Sequence, residues 1–132
     1  MSGDPRRTRP WTQAEWSLLD RTDLIRVAGA REDGTLRALV LVGHVRLGQD
    51  ELVRSLNGPD GTWYRAAMRS GHGQVDVAGQ RIAVAFVPDT GREVEVDQAL
   101  RARYGDDSGV RRMTRSPARD ATVRVVPLRT DV

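Results

Sequence analysis

The longest apolar stretch of the chain, from Thr35 to Leu47, is bounded by turn residues and is too short to cross a membrane. A membrane-spanning helix needs about 20 apolar residues. We therefore predict a central β-strand that is buried on both faces along part of its length. The turn at residues 48–50 leads to residues 51–56, which we predict as the antiparallel partner strand.

Short alternating segments separated by turn residues recur along the rest of the chain. We predict further strands at 23–28, 74–78, 81–87 and 121–126 and helices at 13–19, 62–69 and 94–104. The segment 106–119 is rich in arginine and carries no clear periodicity, so we expect irregular structure there. About six short strands with short helices predict a mainly β fold of the α+β class, a small antiparallel barrel.

The length of 132 residues fits one domain. Residues 1–10 contain two prolines, a glycine and three arginines, which predicts a flexible N-terminal arm ahead of a single domain at 11–132. The N-terminus lacks the apolar stretch of a secretory signal, so a cytoplasmic location is expected and no membrane partner is predicted. The absence of cysteine and lysine excludes disulfides, thiol nucleophiles and lysine Schiff bases.

All 21 basic residues are arginine, yet the net charge is only +3. Acidic residues are interleaved with the arginines, as in the segment Asp20–Asp23, which is typical of a mixed, solvated surface. We therefore predict no nucleic-acid partner. Only Arg54, Arg65 and Arg69 follow strand or helix signals at which a ligand anion could use them.

Two residues are candidates for acid–base chemistry. His44 interrupts the apolar strand, where a titratable group must find a hydrogen bond or face a cavity. Tyr104 ends a predicted helix and could close a pocket, although its spacing from Val96 and Leu100 also fits a core position. His72 lies between two glycines and is expected in an exposed loop. Neither histidine has a ligand-like neighbour at helical spacing, so no metal site is predicted.

A second cluster combines charge with aromatic side chains. Arg54 and Ser55 end a predicted strand, and Trp63, Tyr64 and Arg65 begin a predicted helix. A strand-end arginine, a hydroxyl and a helix N-terminus together suit a phosphate or carboxylate, and aromatic faces suit a planar ring. The alternative is structural: the tryptophan closes the barrel end and the arginines pair with carboxylates.

These segments, in this order, resemble a bacterial family of unknown function, family 2255, from Trp11 to Pro127. The segments that carry the resemblance are Leu52–Ser55, Gly61–Ala67, Gly71–Gly73, Val84–Phe86, Ala99–Tyr104 and Ala121–Pro127. The resemblance implies a split β-barrel of the kind that binds FMN or a deazaflavin between two subunits, and hence a homodimer. In that reading Arg54, Ser55 and Arg65 would hold the cofactor phosphate, and Trp63 and Tyr64 would border the ring.

The chain departs from the family pattern in its central strand. The family tends to have a tryptophan where this chain reads Val42-Gly43-His44-Val45. Replacing a bulky aromatic by glycine and histidine is expected to open space inside the barrel for a small apolar or aromatic metabolite.

Two enzymatic hypotheses follow. The first is a flavin- or deazaflavin-dependent oxidoreductase in which substrate enters beside His44. The second is a cofactor-free barrel that cyclises or isomerises a polyketide or polyene in secondary metabolism, mainly by positioning it. A non-catalytic ligand-binding module is the third possibility.

Overall fold

Six antiparallel strands close into a barrel in the computed structural model, which describes residues 7–129. The strands are β1 Leu24–Gly29, β2 Val40–Leu47, β3 Asp50–Arg54, β4 His72–Val77, β5 Gln80–Pro88 and β6 Thr122–Pro127. The helices are α1 Gln13–Asp20, α2 Thr62–Ser70, α3 Glu93–Tyr104 and α4 Ser108–Met113. Around the barrel the strands follow the order β1, β2, β3, β6, β5, β4, and β4 closes the ring against β1. The prediction of a small antiparallel barrel of the α+β class is confirmed.

The central strand is shorter than the sequence predicts, because β2 begins at Val40 instead of Thr35. Local hydrogen bonds hold the preceding residues in a loop. The carboxylate of Asp33 accepts from the backbone N–H of Thr35 at 3.0 Å, and Arg31 donates to the carbonyl oxygen of Leu36 at 2.6 Å. Side chains that bond to nearby backbone in this way compete with the ladder of a sheet.

The arginine-rich segment expected to be irregular contains the short helix α4. Asp107 caps it by accepting a hydrogen bond from the backbone N–H of Val110 at 3.0 Å. Val110 is fully buried against Val45, Leu52, Val96 and Leu100, so tertiary packing stabilises a helix that is too short to form alone.

Helix α1, which precedes the first strand of the barrel, begins with a capping box. The Thr12 hydroxyl accepts from the Glu15 backbone N–H at 3.1 Å, and the Glu15 carboxylate accepts from the Thr12 N–H at 2.9 Å. Arg9 binds both oxygens of that carboxylate at 2.8 Å, and its own N–H donates to the carbonyl of Pro127. The first six residues of the predicted arm lie outside the described part of the chain.

Side chains fill the inside of the barrel. Alternate residues of the strands point inward, and α1 and α2 add aromatic groups at the two ends. The main contributors are Trp11, Trp16, Leu19, Ile25, Val27, Val42, Val53, Trp63, Val75, Val77, Val84, Phe86, Val123 and Val125. A second apolar cluster lies outside the barrel, where α3 and α4 cover β2 and β3.

Helix α2 lies directly on the barrel wall at Gly29. Gly29 of β1 and Gly73 of β4 are opposite each other in the ladder. A Cβ atom on Gly29 would lie 2.7 Å from the backbone nitrogen of Ala67, and one on Gly73 would lie 1.9 Å from the carbonyl oxygen of Ala28. The missing side chain of Gly29 therefore lets α2 approach the sheet closely, whereas glycine at position 73 avoids a clash with the backbone of the neighbouring strand β1.

Candidate functional site

A groove runs along α2 and consists of three hollows that share lining residues. The first hollow has a volume of about 330 Å³ and the second of about 240 Å³, and both are lined by Arg37, Ala66 and Arg69. The third, of about 250 Å³, shares Thr62 with the second. We call the whole feature the α2 groove. Its first two hollows form a basic end and its third forms an apolar end.

The basic end carries guanidinium groups that lack partners inside the chain. Arg65 and Arg69 are four residues apart and therefore share one face of α2. Among the described residues, the side chains of Arg37, Arg65 and Arg69 form no hydrogen bond or ion pair, and the Nε atom of Arg37 is buried without a partner. Like charges held close together without counter-charges favour the binding of an anion.

The apolar end is built on Trp63. Its ring packs 6.3 Å from the ring of Phe86 and edge-on to Tyr64, at centroid distances that suit aromatic pairs. Ser55 lies beside it with only 1% of its surface exposed, and its hydroxyl has no hydrogen-bond partner among the described residues. That hydroxyl points toward Gly61, because a Cβ atom there would lie 2.3 Å from Ser55 Oγ. A hydroxyl that lines a hollow and has no partner in the chain is suited to a polar atom of a ligand.

Large apolar side chains rim this end of the groove. Val40, Leu41 and Leu56 expose 39%, 54% and 39% of their surface, and Leu24 on the neighbouring strand exposes 43%. Contiguous exposed side chains of this kind are typical of interaction surfaces.

The structure divides the residues predicted from the sequence into two groups. Ser55, Trp63 and Arg65 lie along the α2 groove, and Tyr64 packs half-buried against Trp63. Their role in holding a cofactor stays a prediction. The others, Arg54, His44 and Tyr104, are engaged in contacts within the protein.

Arg54 is buried and ties β3 to three other elements. Its guanidinium contacts the carboxylate of Asp97 at 2.5 Å, the hydroxyl of Thr122 at 2.9 Å, and the carbonyl oxygens of Met113 and Glu93. Four of its five N–H donors are satisfied in this way. Arg54 therefore matches the alternative prediction, in which the arginine pairs with a carboxylate of the protein instead of a ligand.

His44 is 1% exposed and faces Glu51, which is equally buried. Its Nδ1 lies 2.6 Å from Oε2 of Glu51, and its Nε2 lies 2.8 Å from the carbonyl oxygen of Thr22. Nε2 also lies 3.2 Å from the guanidinium of Arg103, which donates to the same carbonyl. Burial raises the pKa of Glu51, and the nearby His44 and Arg103 oppose that shift.

The hydroxyl of Tyr104 connects strands β1 and β2 just beyond their last directly paired residues. It accepts from the backbone N–H of His44 at 3.0 Å and donates to the carbonyl oxygen of Asp23 at 2.7 Å. The direct pairing of β1 and β2 ends at Leu24 and Gly43, which are the chain neighbours of Asp23 and His44. Burial raises the pKa of Tyr104. These contacts join two strands where their own hydrogen bonds stop.

The space expected at the altered central strand is filled. A Cβ atom on Gly43 would meet Sδ of Met113 at 3.3 Å and Cε2 of Tyr104 at 3.4 Å, so α3 and α4 occupy that side. On the other side, His44 is held by Glu51 and Thr22. The prediction of an opened barrel interior at Val42–Val45 is not supported by this packing.

The sequence reasoning missed Arg31, Arg37 and His72. His72 begins strand β4, is half-buried and lines the basic end, instead of lying in an exposed loop. Arg31 and Arg37 come from the connection between β1 and β2, which the sequence divides into a turn and a strand. A signal that could have found part of the cluster was the spacing of Arg65 and Arg69 on a helix that follows a glycine turn.

Two further features of the described residues bear on the kind of site. Within residues 7–129 there is no group of three or more histidine, aspartate or glutamate side chains that could hold a metal ion. In the same part of the chain, every helix falls short of the length and hydropathy that crossing a membrane would require.

The closed antiparallel barrel with helices across its wall defines a split β-barrel protein. The chain belongs to a family described as an uncharacterized protein conserved in bacteria, DUF2255, whose match covers residues 15–125. No curated protein matches it in sequence.

Solved structures share the fold at low sequence identity. HutZ, a heme storage protein from Vibrio cholerae, superposes with a TM-score of 0.60 at 8% identity, covering 94% of this chain and 92% of its own. A candidate pyridoxamine 5′-phosphate oxidase from Listeria innocua gives 0.56 at 10% identity, covering 88% and 90%. An F420 reductase gives 0.54 at 18% identity, covering 86% and 92%. At these identities the likeness establishes the fold, and function has to be argued from the site.

Proposed function

We propose that the protein binds a phosphorylated flavin or deazaflavin in the α2 groove and acts as an oxidoreductase on a small molecule. The observation that carries the proposal is that adjacent hollows along α2 share Thr62, so that unpartnered arginines lie beside an apolar end with an unpartnered hydroxyl. A cofactor with an anionic tail and a planar ring has the same two halves. Two solved structures of the same fold are named as an F420 reductase and a candidate pyridoxamine 5′-phosphate oxidase. Only these names support the proposal, since the sequence identities are low.

The residues at the basic end fit a phosphate group. Arg65 and Arg69 would donate charge-assisted hydrogen bonds to it, and Arg37 has a buried donor to spare. Helix α2 begins at Thr62 with no side-chain cap, so its first N–H groups and the positive end of its dipole add to the attraction.

The residues at the apolar end fit a planar ring. Trp63 and Val42 would contact its faces and exclude water, and the Ser55 hydroxyl would hydrogen-bond to a polar atom at its edge. When bound, the cofactor supplies hydride transfer, and the protein contributes binding, orientation and a dry surface.

The apolar rim supports a homodimer. Leu24, Val40, Leu41 and Leu56 expose much of their surface beside the ring end of the groove. A second copy of the chain placed there would cover both these side chains and the bound ring. Light scattering tests this, and a monomer at every concentration would remove the shared site.

A second candidate uses the apolar end alone. Three exposed apolar side chains beside the unpartnered Ser55 hydroxyl would suit an apolar polyketide or polyene without any anion. In that case the protein would be a cofactor-free cyclase or isomerase in secondary metabolism that acts by holding the substrate in one conformation. The arginines of the basic end would then have no part in binding.

The test is a titration with FMN and with a deazaflavin, followed by absorbance and calorimetry. The wild type should bind at least one of them, and Arg65→Gln should weaken binding about 10-fold or more, since a hydrogen bond to a charged group contributes about 1.5 to 3 kcal/mol. Arg101→Gln is the matched control, because Arg101 is exposed on α3 and has no partner among the described residues. A protein that binds neither cofactor would overturn the proposal, and equal losses in both variants would place the site elsewhere.

A further inference from the structure

We propose that the basic end of the α2 groove contains a second anion subsite, formed by Arg31, Arg37, Arg69 and His72, for the carboxylate or phosphate group of a separate anionic substrate. This inference builds on the proposed cofactor site, which would occupy the neighbouring hollow at Thr62 and Arg65. It assigns the substrate to the class of anionic small molecules.

The two hollows of the basic end share Arg37, Ala66 and Arg69 and differ in the rest of their lining. The hollow of about 330 Å³ extends from Arg37 and Arg69 to Arg31 and His72, away from Thr62 and Arg65. A cofactor phosphate in the smaller hollow would bind the shared arginines from the side of Thr62 and Arg65 and would leave the space beside Arg31 open. The volume is at the lower end of the range typical of small-molecule sites, about 300 to 1,000 Å³.

The charge of the larger hollow favours an anion. Three guanidinium groups line it against one carboxylate, that of the exposed Glu32. Arg31 uses one of its terminal nitrogens on Leu36 and Thr35 and keeps further donors free. Arg37 lies at the boundary of the two hollows with a buried, unpartnered Nε. The planar fork of a guanidinium lets such a residue bind an oxyanion with two parallel hydrogen bonds.

His72 makes the subsite measurable. It lies in the lining of the larger hollow, and its partner across the ladder on β5 is the uncharged Ala85. The charged groups that line the hollow with it are Arg31, Glu32, Arg37 and Arg69. An anion bound among these groups stabilises the protonated imidazole and should raise the pKa of His72. His44 serves as an internal reference, because it is buried in its contact with Glu51.

The experiment follows the two histidine ring signals by NMR across pH, in sulfate and in chloride at equal ionic strength. Sulfate is the probe because it keeps its double charge throughout the titration. In the wild type the pKa of His72, assigned with His72→Gln, should be about one pH unit higher in sulfate. Arg31→Gln should abolish most of that difference, and Arg37→Gln provides a second variant because Arg31 also bonds to its own loop. Arg65→Gln and Arg101→Gln should retain it.

Loading the protein with FMN separates the two anion sites. The response of His72 to sulfate should persist in FMN-saturated protein, since the cofactor phosphate occupies the other hollow. Loss of the response on FMN binding would show a single shared site and overturn the inference while supporting the proposed function. No response in the wild type, or a response in Arg31→Gln and Arg37→Gln as large as that of the wild type, would also overturn it. If neither flavin nor deazaflavin binds but the variant pattern holds, the subsite stands and the cofactor assignment falls.

Discussion

Arg54 and the arginines of the α2 groove are the same residue type in opposite circumstances. Arg54 is 2% exposed, and four hydrogen bonds connect it to Asp97, Thr122 and two backbone carbonyls. Arg65 and Arg69 lie on the surface of α2 and form no hydrogen bond or ion pair with any described residue. The difference shows that burial and paired donors mark an arginine that holds the fold, whereas unpaired donors grouped in a hollow mark one that is available to a ligand.

The largest effect should follow from removing the buried member of this comparison. Arg54→Gln leaves the buried carboxylate of Asp97 with Arg119 as its remaining partner and removes the links to Met113 and Glu93. We expect a loss of about 3 kcal/mol in the free energy of unfolding, measured by urea denaturation.

Two control variants test whether the loss of stability comes from the buried ion pair of Arg54. Arg101→Gln should change the free energy of unfolding by less than about 0.5 kcal/mol, as is usual for an exposed position. The double variant Arg54→Met, Asp97→Leu should recover much of the loss, because it removes both charges of the pair together. A loss below about 1 kcal/mol in Arg54→Gln would contradict the structural role of this residue.

The next effect concerns the position of the helix that carries the groove arginines. Gly29→Ala places a Cβ atom 2.7 Å from the backbone of α2, so the helix must move away from the sheet. We expect a loss of about 2 kcal/mol in the free energy of unfolding, together with weaker anion binding. Gly109→Ala on the exposed face of α4 is the matched control and should be neutral or stabilising. An unchanged stability in Gly29→Ala would show that the close approach of α2 to Gly29 does not fix the position of the helix.

The same contrast between buried and exposed charged groups predicts a pH dependence for Glu51, which is buried against His44. Because burial raises its pKa, the folded protein keeps the Glu51 proton to a higher pH than the unfolded chain does. The contribution of this group to stability is therefore full below the ordinary glutamate pKa of about 4.3 and is lost as pH rises through the raised value. In denaturation experiments across pH, the wild type should lose stability relative to Glu51→Gln over that window. The exposed Glu95→Gln should show no such difference, and parallel curves for wild type and Glu51→Gln would refute the assignment.

The smallest effect is expected at the surface of α2. Arg69→Gln relieves repulsion from Arg65 but removes a favourable charge from the last turn of the helix, and each of these contributions is a few tenths of a kcal/mol. The free energy of unfolding should therefore change by less than about 0.5 kcal/mol in thermal or chemical denaturation, while anion affinity falls. A large loss of stability in Arg69→Gln would mean that the groove arginines hold the fold after all.

The sequence predicts most of the fold because the information is local. Alternation of apolar residues and turn residues at Gly48 and Gly79 placed the hairpins, and the capping box placed α1. The start of β2 was wrong because Asp33 and Arg31 bond to their own loop, which competes with strand pairing. Helix α4 was missed because its stability comes from contacts with distant elements.

The site was only half predictable for a related reason. Trp63 and Arg65 follow a recognisable helix start, so the sequence located them. Arg37 and His72 are separated by 34 intervening residues, and they reach one hollow because both bond to the end of β1: the Arg37 N–H donates to the carbonyl oxygen of Gly29, and the Ala30 N–H donates to that of His72. Likewise, whether His44 faces a cavity or a carboxylate depended on Glu51, which is directed inward by the register of β2 and β3.

Each of the six strands has a hydrogen-bonded neighbour on both sides within residues 7–129, although β2 pairs with β1 through residues 40–43 and with β3 through residues 44–47. Other chains therefore find only short unpaired stretches of backbone on which to add a strand, which is a common route to misassembly in sheet proteins. A homodimer at the apolar rim would then be made mainly by side chains, and substitutions there should alter the association without exposing a long strand edge to fibrous aggregation.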